Sequence, residues 1–251
     1  VKNLLCTLKY CLVLLILCIF PFCIALVTEY AISGETAIVS NYLVMPMTLI
    51  GAIISAFVFK REGVFKLKNR RPSLKEMVSV AGIGLAFKPL ILCILHFAVS
   101  LGLTNSGKNN IVSFIIAVFV AAVAEELIFR GILSDIINIS HSEQKLNTVI
   151  TIAITSVLWA ASHLYGFSLY TILLIIDGII LGLIYHRYKS ILLCIIYHAA
   201  NNAAVIILGQ VGQNHWIPVT VAFTVILAFS LCIIICSYKS SDALNHTVRE
   251  Q

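Results

Sequence analysis

Three small sets of polar residues sit inside otherwise apolar stretches. Glu125, Glu126 and Arg130 fall in AAVAEELIFRGIL (121–133), Trp159 and His163 in SVLWAASHLYGF (156–167), and His198, Asn201 and Asn202 in CIIYHAANNAAV (194–205). Ionisable groups in hydrocarbon cost about 3 kcal/mol or more, so they mark function by default. Glu126 and Arg130 are four residues apart with the glutamate first, the favoured order for a helical ion pair. Glu125 is rotated about 100° from its neighbour and cannot share that geometry. One carboxylate is therefore neutralised locally, and the other is left to act as a general base. His198 and Asn202 share one helix face, with Asn201 off it. Two neutral hydrogen-bond donors aimed at one point suit an oxyanion. The plainer reading of that pair is interhelical adhesion. Trp159 and His163 also share a face, and the residues alone leave His163 between a functional role and a satisfied polar contact. No serine or cysteine stands beside a base, so direct attack by water fits better than an acyl-enzyme.

Taken together, EELIFR (125–130), WAASH (159–163) and HAANN (198–202) resemble the CPBP family, the CAAX-processing proteases and bacteriocin-processing, or Abi, proteins. That family's pattern is EExxxR, then aromatic-xxx-His, then HxxxN, on separate membrane helices. The stretch GIILGLIYHRYKSILLCIIYH (178–198) also looks like the family, and the resemblance covers roughly 110–210. Trp159 stands where Phe is usual and is read as a mild aromatic swap. The resemblance implies an intramembrane endopeptidase, glutamic rather than zinc-dependent. Glu125 would activate a water that His163 helps to hold. His198 and Asn202 would stabilise the oxyanion, and Glu126 and Arg130 would set the local electrostatics. A rival reading gives Glu125, His163 and His198 to a zinc ion. No HExxH motif is present, and no cofactor is expected.

The elements that must carry these residues are membrane helices. The 251 residues are 60% hydrophobic and 11% charged, with a mean hydropathy of +1.02, whereas a soluble domain is about 25% charged. Apolar runs predict eight spans, at about 4–27, 42–59, 76–101, 110–135, 148–164, 168–186, 190–209 and 216–237. The expected class is an all-α polytopic membrane protein forming one membrane domain. Its parts are N-terminal helices (1–109), a catalytic core (110–210), and a last helix with a cytoplasmic tail (211–251). The run after Lys9 lacks a small-x-small cleavage site and is read as a retained helix rather than a signal peptide. Residues 238–251 are read as a short mobile tail.

Charge distribution orients the chain. Seven Lys/Arg lie in 60–75, and Lys2, Lys9, Lys145, Arg187, Lys189, Lys239 and Arg249 fall on the same side of an eight-span topology. Only Lys108 lies opposite, so both termini are expected in the cytoplasm, with a bacterial plasma membrane as the setting. The net charge of +6 serves orientation and attraction to anionic lipid, and does not indicate nucleic acid.

Depth counting at about 1.5 Å per residue puts Glu125 about 8 Å from the cytoplasmic face, His198 about 12 Å and Asn202 about 18 Å. A helix starting at 148 carries His163 to about 22 Å, so that helix begins nearer 153, tilts inward, or leaves His163 outside the site, and the later start is the favoured expectation.

Lys88, beside Pro89, and Asp177, beside Gly178, are further mid-span charges. A pair between them is conceivable, with no role assigned. Gly178 and Gly182 are expected to let helices approach closely. The eight cysteines read as small buried hydrophobes rather than disulfide or metal ligands. Two other function classes stay open on the residues: a non-catalytic immunity or regulatory protein on this scaffold, and a transporter, which the absence of paired half-helices disfavours. The expected partner is a membrane-associated peptide.

Overall fold

A computed structural model of the chain describes residues 7–17, 23–24, 27, 41–66, 70–99, 111–139, 144–163, 166, 168–210 and 215–249. Among them there is no strand, as the all-α expectation requires. The helices are α1 (Thr7–Leu17), α2 (Asn41–Arg61), α3 (Leu74–Val99), α4 (Ile111–Ile115), α5 (Ala121–Glu126), α6 (Ser134–Ile139), α7 (Gln144–Ser162), α8 (Leu169–Tyr188), α9 (Ile191–Gln210) and α10 (Trp216–Arg249).

Five of them hold windows long and apolar enough to cross a bilayer: Val44–Arg61, Leu74–Leu95, Leu169–Tyr188, Ile191–Gln210 and Ile217–Cys236. The fourth expected span is a composite. Two π-helical segments, Ile116–Val120 and Leu127–Leu133, join α4, α5 and α6 into helical backbone from residue 111 to residue 139. Three expected boundaries move. That span continues past 135 to Ile139, α7 begins at Gln144 rather than at 148 or 153, and α10 runs through the supposed tail to Arg249. Of the first expected span, α1 covers Thr7–Leu17, and most of the rest lies outside the described residues.

Local chemistry explains the helix ends. Ser73 and Glu76 form a reciprocal capping box before α3, with Ser73 N donating to Glu76 Oε2 at 2.8 Å and Glu76 N donating to Ser73 Oγ at 3.3 Å. Ser168 caps α8 by accepting from Thr171 N. The α8 C-terminus closes on Lys189 in the left-handed conformation (φ 51°). Arg70 then donates its backbone N–H to Lys189 O (2.9 Å) and Nε to Tyr188 O (3.2 Å). A cation on terminal carbonyls complements the helix dipole. The basic segment after α2 thus secures α8, a role beyond orientation.

The chain divides into two compact units. In the first, Val1–Arg70 with Asn109–Ile195, α8 lies against α7. A Cβ added at Gly178 would come 2.8 Å from Ser156 Cβ, and one at Gly182 would come 2.8 Å from Ile152 Cγ2. The expected glycine-mediated approach is therefore present. Phe59, Phe65, Ile128, Ile132 and Ile136 form part of this unit's apolar core. Val64 N and Phe65 N both donate to Phe59 O, folding the chain back. Phe65 then covers Gly131, where a Cβ would lie 3.2 Å from its ring.

In the second unit, Arg71–Lys108 with Ile196–Gln251, Gly82 of α3 faces Ser230 of α10. Gly84 of α3 meets the carbonyl of Tyr197 on α9, 2.4 Å from where a Cβ would stand. Along α10, Ile217, Val221, Val225 and Phe229 are exposed at four-residue spacing. A contiguous apolar stripe of that kind belongs in hydrocarbon. The first turn of α9 belongs to the first unit and the rest to the second.

Candidate active site

The Glu126–Arg130 pair forms as its spacing predicts. Arg130 Nη1 lies 3.1 Å from Glu126 Oε1, and both side chains are fully enclosed. Arg130 Nη2 donates to Gly178 O at 3.2 Å, and its Cζ stands 5.1 Å from the centroid of the Trp159 ring. A buried pair survives only with such supplementary contacts, because desolvation otherwise outweighs the attraction. Arg130 serves three partners through one planar fork.

Glu125 faces elsewhere. Its Oε2 accepts from Trp159 Nε1 at 2.5 Å and lies 3.9 Å from His163 Nε2. His163 Nδ1 is 2.9 Å from Trp159 O. A carbonyl only accepts, so Nδ1 carries the proton. In the neutral tautomer Nε2 then presents a lone pair toward the carboxylate. Two acceptors at 3.9 Å do not bond each other, but one water donating a proton to each satisfies both. Trp159 O also accepts from Ser162 Oγ (2.7 Å), and the His163 ring stands edge-on to the indole at 5.0 Å. Glu125 is 12% exposed and His163 25%, against 0% and 1% for Glu126 and Arg130. The first two can be reached by a reactant, and the second two cannot.

The depth mismatch expected for His163 is resolved by the composite helix. Asn138 and Thr151 mark a common level, joined by a hydrogen bond of 3.2 Å from Thr151 Oγ1 to Asn138 Oδ1. Glu125 lies 13 residues from Asn138, and His163 lies 12 residues from Thr151. At about 1.5 Å per residue both rise about 20 Å from that level. Glu125 and His163 therefore reach a similar height without a late start for α7, which begins at Gln144.

Two contributors escaped the sequence reading. Trp159 is not a mild aromatic swap, since its indole N–H is the donor that Phe lacks. The only advance signal was the departure itself. The second is the Gly178 carbonyl, an acceptor no side-chain pattern reveals. Toward the Asn138–Thr151 end, Arg130, Ser134, Thr155 and His186 help line a polar cavity.

His198 is buried and Asn202 half-buried, one turn apart on α9 within the second unit. Asn201 is buried beside them. The turn bearing His198 is held by the close approach of Gly84 to Tyr197. Lys88 and Asp177 are both buried and belong to different units. Among the described residues, no group of three or more His, Cys, Asp or Glu side chains is arranged to hold a metal ion.

These features define a helical chain with membrane-length apolar segments and a carboxylate–imidazole pair 3.9 Å apart. Residues 107–204 match the family model described as "Type II CAAX prenyl endopeptidase Rce1-like", a segment that contains all three motifs. Over that segment the chain is similar to the Rce1-like group of the CPBP family. The match supports a CAAX-type endopeptidase in a membrane. Comparison with curated proteins and with solved structures gave no match.

Proposed function

We propose that the chain is an intramembrane endopeptidase that hydrolyses a peptide bond in a membrane-associated peptide or protein, with Glu125 as general base and no metal. The observation carrying this reading is the Glu125 Oε2–His163 Nε2 gap of 3.9 Å, both groups partly open. A water held there gives its proton to Glu125 as its oxygen bonds to the scissile carbonyl carbon. The carbonyl electron pair moves to oxygen, and His198 and Asn202 take the oxyanion role that the motif match suggests. The oxyanion re-forms C=O as the C–N bond breaks and Glu125 returns the proton to the departing nitrogen, leaving a carboxylic acid and an amine that exchange a proton to give carboxylate and ammonium.

Eight spans with both termini in the cytoplasm of a bacterial cell complete the proposal. Five apolar helices and the charge distribution support it. The test uses purified protein in bilayer nanodiscs with a quenched fluorogenic, prenylated peptide ending in Cys-aliphatic-aliphatic-X. Cleavage is expected from the wild type and from neither Glu125→Ala nor His198→Ala. Undiminished cleavage by Glu125→Ala overturns the mechanism. Glu125→Gln retaining the protein's cellular effect would favour a non-catalytic regulator.

A further inference from the structure

One residue governs both groups that flank the gap. The Trp159 side chain donates to Glu125 Oε2, and its backbone carbonyl accepts a hydrogen bond from His163 Nδ1. The ring is 2% exposed, so water does not compete for either contact. The Arg130 guanidinium that holds Glu126 also stands over the indole face. A cation there draws electron density from the ring and strengthens the N–H as a donor. An indole N–H donates and never accepts, so it orients a carboxylate without taking up its proton.

We infer that Trp159 is a positioning residue for hydrolysis: its indole N–H sets the Glu125 carboxylate toward His163, and its ring links that carboxylate to the buried Glu126–Arg130 pair. This rests on reading Glu125 as the base. A phenylalanine, usual at this motif position, keeps a ring over the same backbone but supplies no N–H. In this chain Glu125 is held by an indole.

Two measurements test it. The protein has two tryptophans, Trp159 and Trp216, so Trp216→Phe leaves one indole to observe. Ultraviolet resonance Raman spectra of that variant report hydrogen bonding at the indole N–H. The bonded signature is expected with Glu125 present, lost in Glu125→Ala and kept in His198→Ala. The second arm is kinetics on the fluorogenic prenylated peptide. Trp159→Phe is expected to lower kcat about 10–100-fold with KM unchanged, the scale of losing orientation at a reacting group. Benzothienylalanine at 159, with sulfur replacing N–H in the same shape, should match it. An unbonded indole in the parent, a signature unmoved by Glu125→Ala, or wild-type kcat in either analogue overturns the positioning role. Full cleavage by Glu125→Ala instead overturns the base assignment, and the Raman arm still decides whether Trp159 holds Glu125.

Discussion

His163 Nε2 lies 3.9 Å from Glu125 Oε2, while its Nδ1 is tied to Trp159 O. The imidazole is fixed through one nitrogen and turns the other toward the carboxylate. That arrangement underlies the contrast between the two adjacent glutamates.

Glu125 and Glu126 should respond oppositely to loss of charge. Glu125→Gln is expected to end peptide cleavage and leave the unfolding midpoint near wild type, because an amide oxygen still accepts from Trp159. Glu126→Gln strands Arg130 in a buried site and should cost about 3–5 kcal/mol of stability. Thermal unfolding in detergent, run beside the cleavage assay, checks both.

Gly178→Ala should destabilise the α7–α8 contact by about 1–3 kcal/mol, since the new methyl would meet Ser156 at 2.8 Å. It should also lower activity, because Gly178 O holds Arg130. Gly209→Ala is the matched control. Nothing lies within 4 Å of its added Cβ, and alanine should favour the helix by about 1 kcal/mol. Unfolding midpoints of the two variants are expected to move in opposite directions.

Exhaustive chelation should leave cleavage unchanged, with elemental analysis reading less than stoichiometric zinc. Activity lost with the metal and restored by Zn²⁺ would reassign Glu125, His163 and His198 as ligands.

Single cysteines introduced in the 60–75 segment and after Lys239, on a background cleared of the native eight, are expected to react with an impermeant maleimide only in opened cells. A cysteine beside Lys108 should react in intact ones. The reverse pattern would invert the proposed orientation.

Spacing made part of the site readable in advance. A four-residue interval on a helix brings Glu126 to Arg130 and leaves Glu125 on another face, whatever the surroundings. Gly178 and Gly182 likewise announced a close contact. Helix ends were harder. Residues 136–147 (IINISHSEQKLN) mix apolar and polar types, so hydropathy stopped at 135 while the backbone hydrogen bonds continued to Ile139. π-Segments leave no periodic signature to read. Trp159 looked like a ring because its neighbours are apolar, and its N–H matters only once Glu125 is seen opposite it. Carbonyl acceptors such as Gly178 O are common to every residue type and carry no side-chain signal.

The widened turns around Glu126 tie the chemistry to residue count as well as residue type. Between Leu127 and Leu133 the backbone bonds reach one residue further than in an α-helix. Excising Ile132 alone would leave all three motifs legible, yet allow that turn to tighten. Where the turn kept its width instead, everything beyond it would swing by about 100°, carrying Asp135 away from Lys66 N and Asn138 away from Thr151. A homologue one codon shorter there could display every signature letter and still lack the geometry that gives them meaning.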